Sequence, residues 1–362
     1  MSESTPPLNL DPDTPTEIAV RAARARRRWS IVGLLALIAL ALAWWLIPSV
    51  PEEHAAIQAH FAYGSIGSDN PERGLPYWIW KVLPRMFPDY LPNPNEPGYT
   101  SFGFIQEPLA DRPIGFSKRR VRGIDFVGVN CAACHVSTYR DAKGAIPKIV
   151  LGMPAQGLDL QGFFRFLFQC VSDGRFTVDA VLAEIDRETN LSSVERMMYK
   201  YLIIPSFREG VLAQKQKVAY WDKFPPNGPG RIDTFGPYAA LFFNLPPSDS
   251  AGAADFPALW NQRPREGMNL HWDGNNDSVF ERNYSASFGA GATPTSIDEP
   301  RLARVAEWVL DFGPPTFPAD KLDSKLAEQG APIYQKHCAS CHDWKGEYIG
   351  QVEPIDKIGT DR

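Results

Sequence analysis

Cysteine and histidine are scarce in this chain, five and six among 362 residues, so their positions are informative. Positive charge is not in excess either. The formal net charge is -5, and five arginines are gathered at Arg21, Arg24, Arg26, Arg27 and Arg28. The remainder is therefore more acidic still, which argues against nucleic-acid binding. No internal repeat occurs beyond one short motif, and no low-complexity stretch outside the polar tail Ser2 to Thr16, which reads as disordered. No catalytic acid or base announces itself. The oxygen-rich Asp273-Gly-Asn-Asn-Asp277 has its glycine misplaced for an EF-hand and no closing glutamate, so it reads as a turn rather than a calcium site. Proline and glycine are abundant, 33 and 28 residues, which predicts long ordered loops.

Four of the five cysteines fall in two copies of one string, Cys131-Ala-Ala-Cys134-His135 and Cys338-Ala-Ser-Cys341-His342. Cys-x-x-Cys-His is the attachment site of a c-type haem: each thiol adds across one porphyrin vinyl group, and the adjacent histidine reaches the iron. Two copies predict two covalently bound haems, with Cys131, Cys134, Cys338 and Cys341 binding the cofactor and His135 and His342 ligating iron. A dithiol redox motif would account for one Cys-x-x-Cys but not for two, each followed by histidine. A structural zinc site normally draws its Cys-x-x-Cys halves from nearby sequence, unlike Cys134 and Cys338.

Trp29 to Ile47 is uncharged and almost wholly apolar, long enough as a helix to cross a bilayer. The arginines precede it, which places the N-terminus in the cytoplasm. The expectation is a single-pass protein of the bacterial cytoplasmic membrane with its haem region facing the periplasm. Trp44 and Trp45 would sit at the far headgroups. A cleaved secretory signal ending at Ala41-Leu42-Ala43 is the rival reading, disfavoured by the long N-terminal region and bulky Trp44.

The expected fold is mainly α: cytochrome c-like haem domains with long ordered loops, preceded by one transmembrane helix. The expected divisions are a basic tail 1–28, an anchor 29–48, an elaborated first haem domain 49–318, and the start of a second cytochrome c domain 319–362. Helices are expected within Glu52 to Phe61, Leu158 to Ser172, Thr177 to Glu188, Ser192 to Tyr201 and Pro300 to Phe312, with caps ahead of several. Pro71 to Pro113 reads as ordered loop, and Ile124 to Asn130 as a strand entering the first motif. Asp311 to Pro318 stacks helix breakers, after which a helix from Leu322 leads into Cys338. Only twenty residues follow His342, without Met or His, so the second domain is expected to be incomplete.

His60-Phe-Ala-Tyr-Gly-Ser-Ile-Gly67, Gly74-Leu-Pro-Tyr-Trp78, Gly128-Val-Asn130 before the first motif, Gly230-Arg-Ile-Asp233, Leu259-Trp-Asn261 and Leu270-His-Trp-Asp-Gly274 add a family pattern. Together with both haem motifs they resemble the bacterial di-haem cytochromes c that include the rubber oxygenases, more distantly akin to di-haem cytochrome c peroxidases. The resemblance implies cytochrome c-like domains, and a later histidine, beyond Arg362, as second ligand of the second iron.

The distal side of the first iron decides between an electron carrier, with the sixth position filled, and an oxygen- or peroxide-handling enzyme, with it open. Candidate ligands are His54, His60, Met153, Met268 and His271, each equally readable as packing. Trp221, Trp260 and Trp272 are candidate electron relays and more simply core aromatics. Arg119, Arg120 and Arg122 could face haem propionates or lie as surface charge. Cys170 reads as a small buried apolar residue. The leading expectation is electron transfer with a redox partner protein or a small donor or acceptor. The alternative is a haem-dependent peroxidase or rubber-oxygenase-like dioxygenase at the first haem. A haem sensor acting through the short tail is the weakest of the three.

Overall fold

The structure, a computed structural model, describes residues 15–246, 252–271 and 274–359, with the side chains of 15–18, 37, 40–42 and 45 outside the description. The chain divides into two compact units, Met1–Ser49 and Val50–Arg362.

The described residues of the first unit form one helix, α1 (Pro15–Trp45). Two expectations are corrected here. Among the described residues no helix is long and apolar enough to cross a membrane. The helix does not begin at the apolar run: it is continuous from Pro15 through all five arginines, and guanidinium groups are costly within a bilayer. The N-terminal transmembrane helix of the expected fold is thus not supported, nor is the single-pass, periplasm-facing localisation that rested on it. The proposed headgroup position of Trp45 and the first two residues of the cleavage site, 41–42, rest on side chains outside the description.

The second unit is not purely helical; about half of the chain is helix and three small antiparallel sheets accompany it. It opens with β1 (Val50–Pro51), α2 (Ile57–Tyr63), β2 (Leu75–Pro76) and α3 (Tyr77–Met86). Helix α3 lies where loop was expected, because its proline sits in the last turn. Pro84 has no N–H for the Trp80 carbonyl, and the Tyr99 hydroxyl donates to that carbonyl instead, at 2.5 Å. Next come β3 (Phe116–Val121) and β4 (Ile124–Val129), a hairpin closed by Arg122-Gly123, both at positive φ (50° and 85°), the geometry of a two-residue type I′ turn. The sheet runs β1-β3-β4-β2. The first motif forms α4 (Cys131–Cys134), followed by the paired strands β5 (Val136–Tyr139) and β6 (Lys148–Leu151).

Helices α5 (Leu160–Ser172), α6 (Val178–Glu188), α7 (Ser193–Met198) and α8 (Ile204–Lys217) follow. Asp159, Thr177 and Ser192 cap the first three through their side chains. A π turn over Tyr199–Ile203 joins α7 to α8, just ahead of Pro205, which cannot continue a regular hydrogen-bond ladder. The apolar stripe Phe163, Phe166, Leu167 and Cys170 of α5 packs with Trp80, Tyr99, Phe102, Phe104 and Phe116 into an aromatic core. Cys170 is fully buried and its thiol pushed up by burial, as expected of a small apolar residue. Trp221 belongs to the same core.

The remaining elements are β7 (Arg231–Asp233), α9 (Phe235–Phe242), β8 (Ala253–Asp255), α10 (Val279–Gly289), α11 (Glu299–Asp311), α12 (Ser324–His337), α13 (Ala339–His342) and α14 (Ile355–Ile358). Strands β7 and β8 pair. A second, smaller apolar cluster joins Phe61 and Ala62 of α2, Ala132 of α4, Val136, Val305 and Val309 of α11, and Ile114. It lies directly against the first Cys-x-x-Cys-His.

Candidate functional site

Asn130 starts the site. It caps α4, its Oδ1 accepting from the Ala132 N–H at 3.0 Å, while its Nδ2 donates to the Gly64 carbonyl at 3.0 Å. One side chain thus fixes both the turn that presents the cysteines and the end of α2 beside it. Cys131 and Cys134, three apart on a helical turn, share a face, and Ala132 and Ala133 between them are buried. Gly115 lets the chain pass this close: at φ 96° it would place a Cβ 2.5 Å from the Ala133 Cα. Burial pushes the Cys131 thiol up to about 11 and that of Cys134 to about 12. Both are neutral thiols rather than the thiolates that a dithiol redox site uses.

His135 ends α4. Its carbonyl accepts from the Gly152 N–H at 2.8 Å, and its Nδ1 lies 2.8 Å from the Pro257 carbonyl oxygen. A carbonyl only accepts, so Nδ1 carries the proton and Nε2 presents its lone pair. Burial, and secondarily the charge of Arg282, push His135 down to about 4, against the opposing Pro257 carbonyl. The imidazole is therefore neutral and fixed in one tautomer, the state a metal-bound histidine requires. The segment around Pro257 is tied down as well: the Leu259 N–H donates to the Gly152 carbonyl at 2.9 Å and Trp260 Nε1 to the Leu151 carbonyl at 3.0 Å. Gly152, at φ 76°, is required there, since a Cβ would sit 2.5 Å from Trp260 Nε1.

The second motif is built differently. Helix α12 runs into Cys338, as expected, but none of its residues is buried. Cys338 and Cys341 are exposed, and the apolar Leu326, Ile333 and Tyr334 are exposed with them. His342 is exposed and its ring has no hydrogen-bond partner among the described residues. The spacing suits haem attachment, yet no group orients the imidazole.

Among the described residues no three or more His, Cys, Asp or Glu side chains converge as a metal site. A tetrahedral zinc site needs such a set, whereas a haem iron takes only axial ligands from protein. Cys131, Cys134 and an oriented, neutral His135 therefore fit a c-type haem better than zinc. No family model, no curated protein and no solved structure matches this chain.

The five distal candidates separate. Met268 packs against Gly350, on the side of the second motif. His271 sits at φ 64° in the turn bridged by Leu270 and Asn276, and Met153 is half-buried beside Gly152. His54 is half-buried against the Tyr63 ring. His60 stands apart: it is 1 % exposed, neither ring nitrogen makes a hydrogen bond of normal geometry among the described residues although the Arg301 carbonyl is near, and its helix α2 packs on α4. Arg119 and Arg120 are committed elsewhere, to Asp69 and Asp298 and to Asp125 and Glu195. Phe256 belongs to the aromatic core. Trp272 and Asp273, the latter opening the oxygen-rich turn, lie outside the described residues.

Burial first, and then the charge of Arg304, hold His60 below its ordinary value of 6.5, against the Arg301 carbonyl. Its folded value lies below its unfolded one, so on acidification the unfolded chain takes the proton first. The stability tied to His60 is complete above about pH 6.5 and is lost as the pH falls through the folded value. His54 and His135 shift in the same direction, so the comparison isolates one residue. Urea unfolding between about pH 7 and 5 is expected to show a shallower loss of stability for His60→Phe than for the wild type. Parallel curves would contradict this.

Proposed function

We propose that the chain is a di-haem c-type cytochrome that passes electrons through haems bound at Cys131, Cys134 and His135 and at Cys338, Cys341 and His342. The observation that carries the reading is the hydrogen bond between His135 Nδ1 and the Pro257 carbonyl, which leaves Nε2 of a neutral imidazole to the iron. Each bound haem supplies a one-electron couple. The protein's part is to attach, orient and enclose: Cys131 and Cys134 give the thioether bonds, Asn130 holds their turn, and the cluster of Phe61, Val305 and Val309 excludes water. The motif resemblance to the di-haem cytochromes c supports the same reading.

One segment reaches both motifs. The Pro257 carbonyl holds His135, Arg265 lies over the Trp344 ring at 5.6 Å, and Asn269 donates from both N and Nδ2 to the Gly350 carbonyl. Eight residues separate Pro257 from Arg265, at most roughly 28 Å of fully extended chain. The two attachment sites are thus linked by a short tether, which suits electron passage between them and on to a redox partner protein or a small donor or acceptor.

A second reading, a peroxidase or dioxygenase at the first haem, draws on His60. A buried, neutral imidazole whose nitrogens make no hydrogen bond of normal geometry among the described residues is the kind of base that peroxide chemistry uses over an open iron. Ferric electron paramagnetic resonance and the reduced spectrum with carbon monoxide separate the two in the full chain, with His342→Ala to distinguish the haems. The electron carrier is expected to show a low-spin first haem that ignores carbon monoxide. A high-spin first haem that binds the gas would favour the enzyme.

A further inference from the structure

Two polar side chains near the first motif, one buried and one half-buried, have donors that no described residue accepts. Arg282 on α10 makes one hydrogen bond, from Nη2 to the Asn283 Oδ1 at 3.2 Å, and no carboxylate pairs with it among the described residues. Asn283 Nδ2 in turn donates to the Gln262 Oε1 at 3.3 Å. The orientations are forced. Arginine only donates, so Asn283 turns its oxygen to Arg282 and its nitrogen to Gln262, and Gln262 must answer with its own oxygen. Gln262 Nε2 is left as a donor on a side chain only 2 % exposed, with no partner among the described residues.

Position ties this relay to the first motif. Gln262 follows Pro257, which holds His135, by five residues, and Trp260 between them is fixed to Leu151. The charge of Arg282 acts on both Cys131 and His135. Burial, then the like charge of Arg265, push Arg282 down to about 10, with Glu266 opposing. Glu266 Oε2 already accepts from the Val279 N–H at 3.1 Å. A buried amide N–H without an acceptor is costly, and a carboxylate reaching it beside the half-buried guanidinium of Arg282 would satisfy the one and pair with the other.

We propose that Arg282 and Gln262, aligned through Asn283, receive a propionate carboxylate of the haem attached at Cys131 and Cys134. This rests on the haem reading above. A free small carboxylate would meet the same donors, and the test separates the two.

The holoprotein with Cys338→Ala and Cys341→Ala isolates the first haem, whose covalent content and midpoint potential are then measured. Removing a cation beside the iron favours the ferric state. Arg282→Gln is expected to keep one haem per chain and to shift the reduction equilibrium about tenfold toward oxidised, roughly 59 mV for a one-electron couple. Arg282→Lys is expected to recover most of that shift. Gln262→Leu removes the amide donor without a charge and guards against misfolding of the Gln variant; its shift is in the same direction and smaller. A potential unmoved in both Arg282→Gln and Gln262→Leu overturns the proposal. So does a saturable shift of the parent protein on adding acetate, which would assign the donors to an external carboxylate. No covalent haem in the parent would instead overturn the haem reading at this motif.

Discussion

Replacing Cys131 and Cys134 together with alanine is expected to remove one of two covalently bound haems and leave the other. The thiols share one helical face, and His135 beside them is held by Pro257; without the thioether bonds that imidazole is at most a weak, reversible ligand. Cys134 packs on the rim of the aromatic core and Cys131 on that of the smaller cluster, each only partly buried, so small alanines there should leave the variant folded. A pyridine haemochrome assay normalised to protein reads the result directly: the haem content of the double variant is half that of the wild type. Unchanged content would mean that the first motif carries no haem. His135→Ala is expected to keep the haem attached through sulfur and to alter its spin state.

The second large effect concerns stability. Arg119 on β3 bridges Asp69, at 3.1 Å, and Asp298, at 2.9 Å, and also donates to the Ser65 hydroxyl at 2.8 Å. Asp69 is fully buried. The bridge joins β3, the loop after α2 and the residue preceding α11, the elements that frame the first motif. Arg119→Leu leaves the buried Asp69 with Ser65 as its one side-chain donor among the described residues, while Asp298 keeps Arg301. Breaking one side of a buried ion pair costs about 3 kcal/mol or more, so urea unfolding should show a loss near that size. Adding Asp69→Asn to the Arg119→Leu variant removes the stranded charge and is expected to recover much of it, since the two residues are coupled. A loss below about 1 kcal/mol, within the range of an exposed pair, would contradict the account.

The helices written as amphipathic stripes with a cap were legible. The periodicity from Leu158 marked α5, Thr177 and Ser192 marked the starts of α6 and α7, and the alternation from Ile124 marked β4. What escaped depended on distant partners. Helix α3 forms despite Pro84 because Tyr99, fifteen residues later, takes the orphaned carbonyl. Strand β3 carries Arg119 and Arg120, which with Arg122 read as propionate partners or surface charge, yet Arg119 turns inward to buried carboxylates. The membrane-spanning expectation came from the apolar run alone, whereas the helix also takes in the arginines before it.

The candidate site divides the same way. Two spaced cysteines and a histidine are a local string and could be read directly. The group that orients His135 is a backbone carbonyl at Pro257, 122 residues away, and carbonyls leave no signature in side-chain identity. Arg282 and Gln262 are likewise ordinary polar letters until the fold buries the Gln262 amide and sets Arg282 beside it with no carboxylate partner among the described residues. His60 alone among the distal candidates gained weight from the fold, because only burial shows that its nitrogens have no partner.

The most direct test of the central claim is the mass of the intact chain under denaturing conditions, after production of the full sequence alongside a c-type haem attachment system. The account predicts the polypeptide mass plus two haems that survive acid and organic solvent, because thioether bonds hold them. A chain of unmodified mass, or haem that is extracted by the solvent, would contradict it.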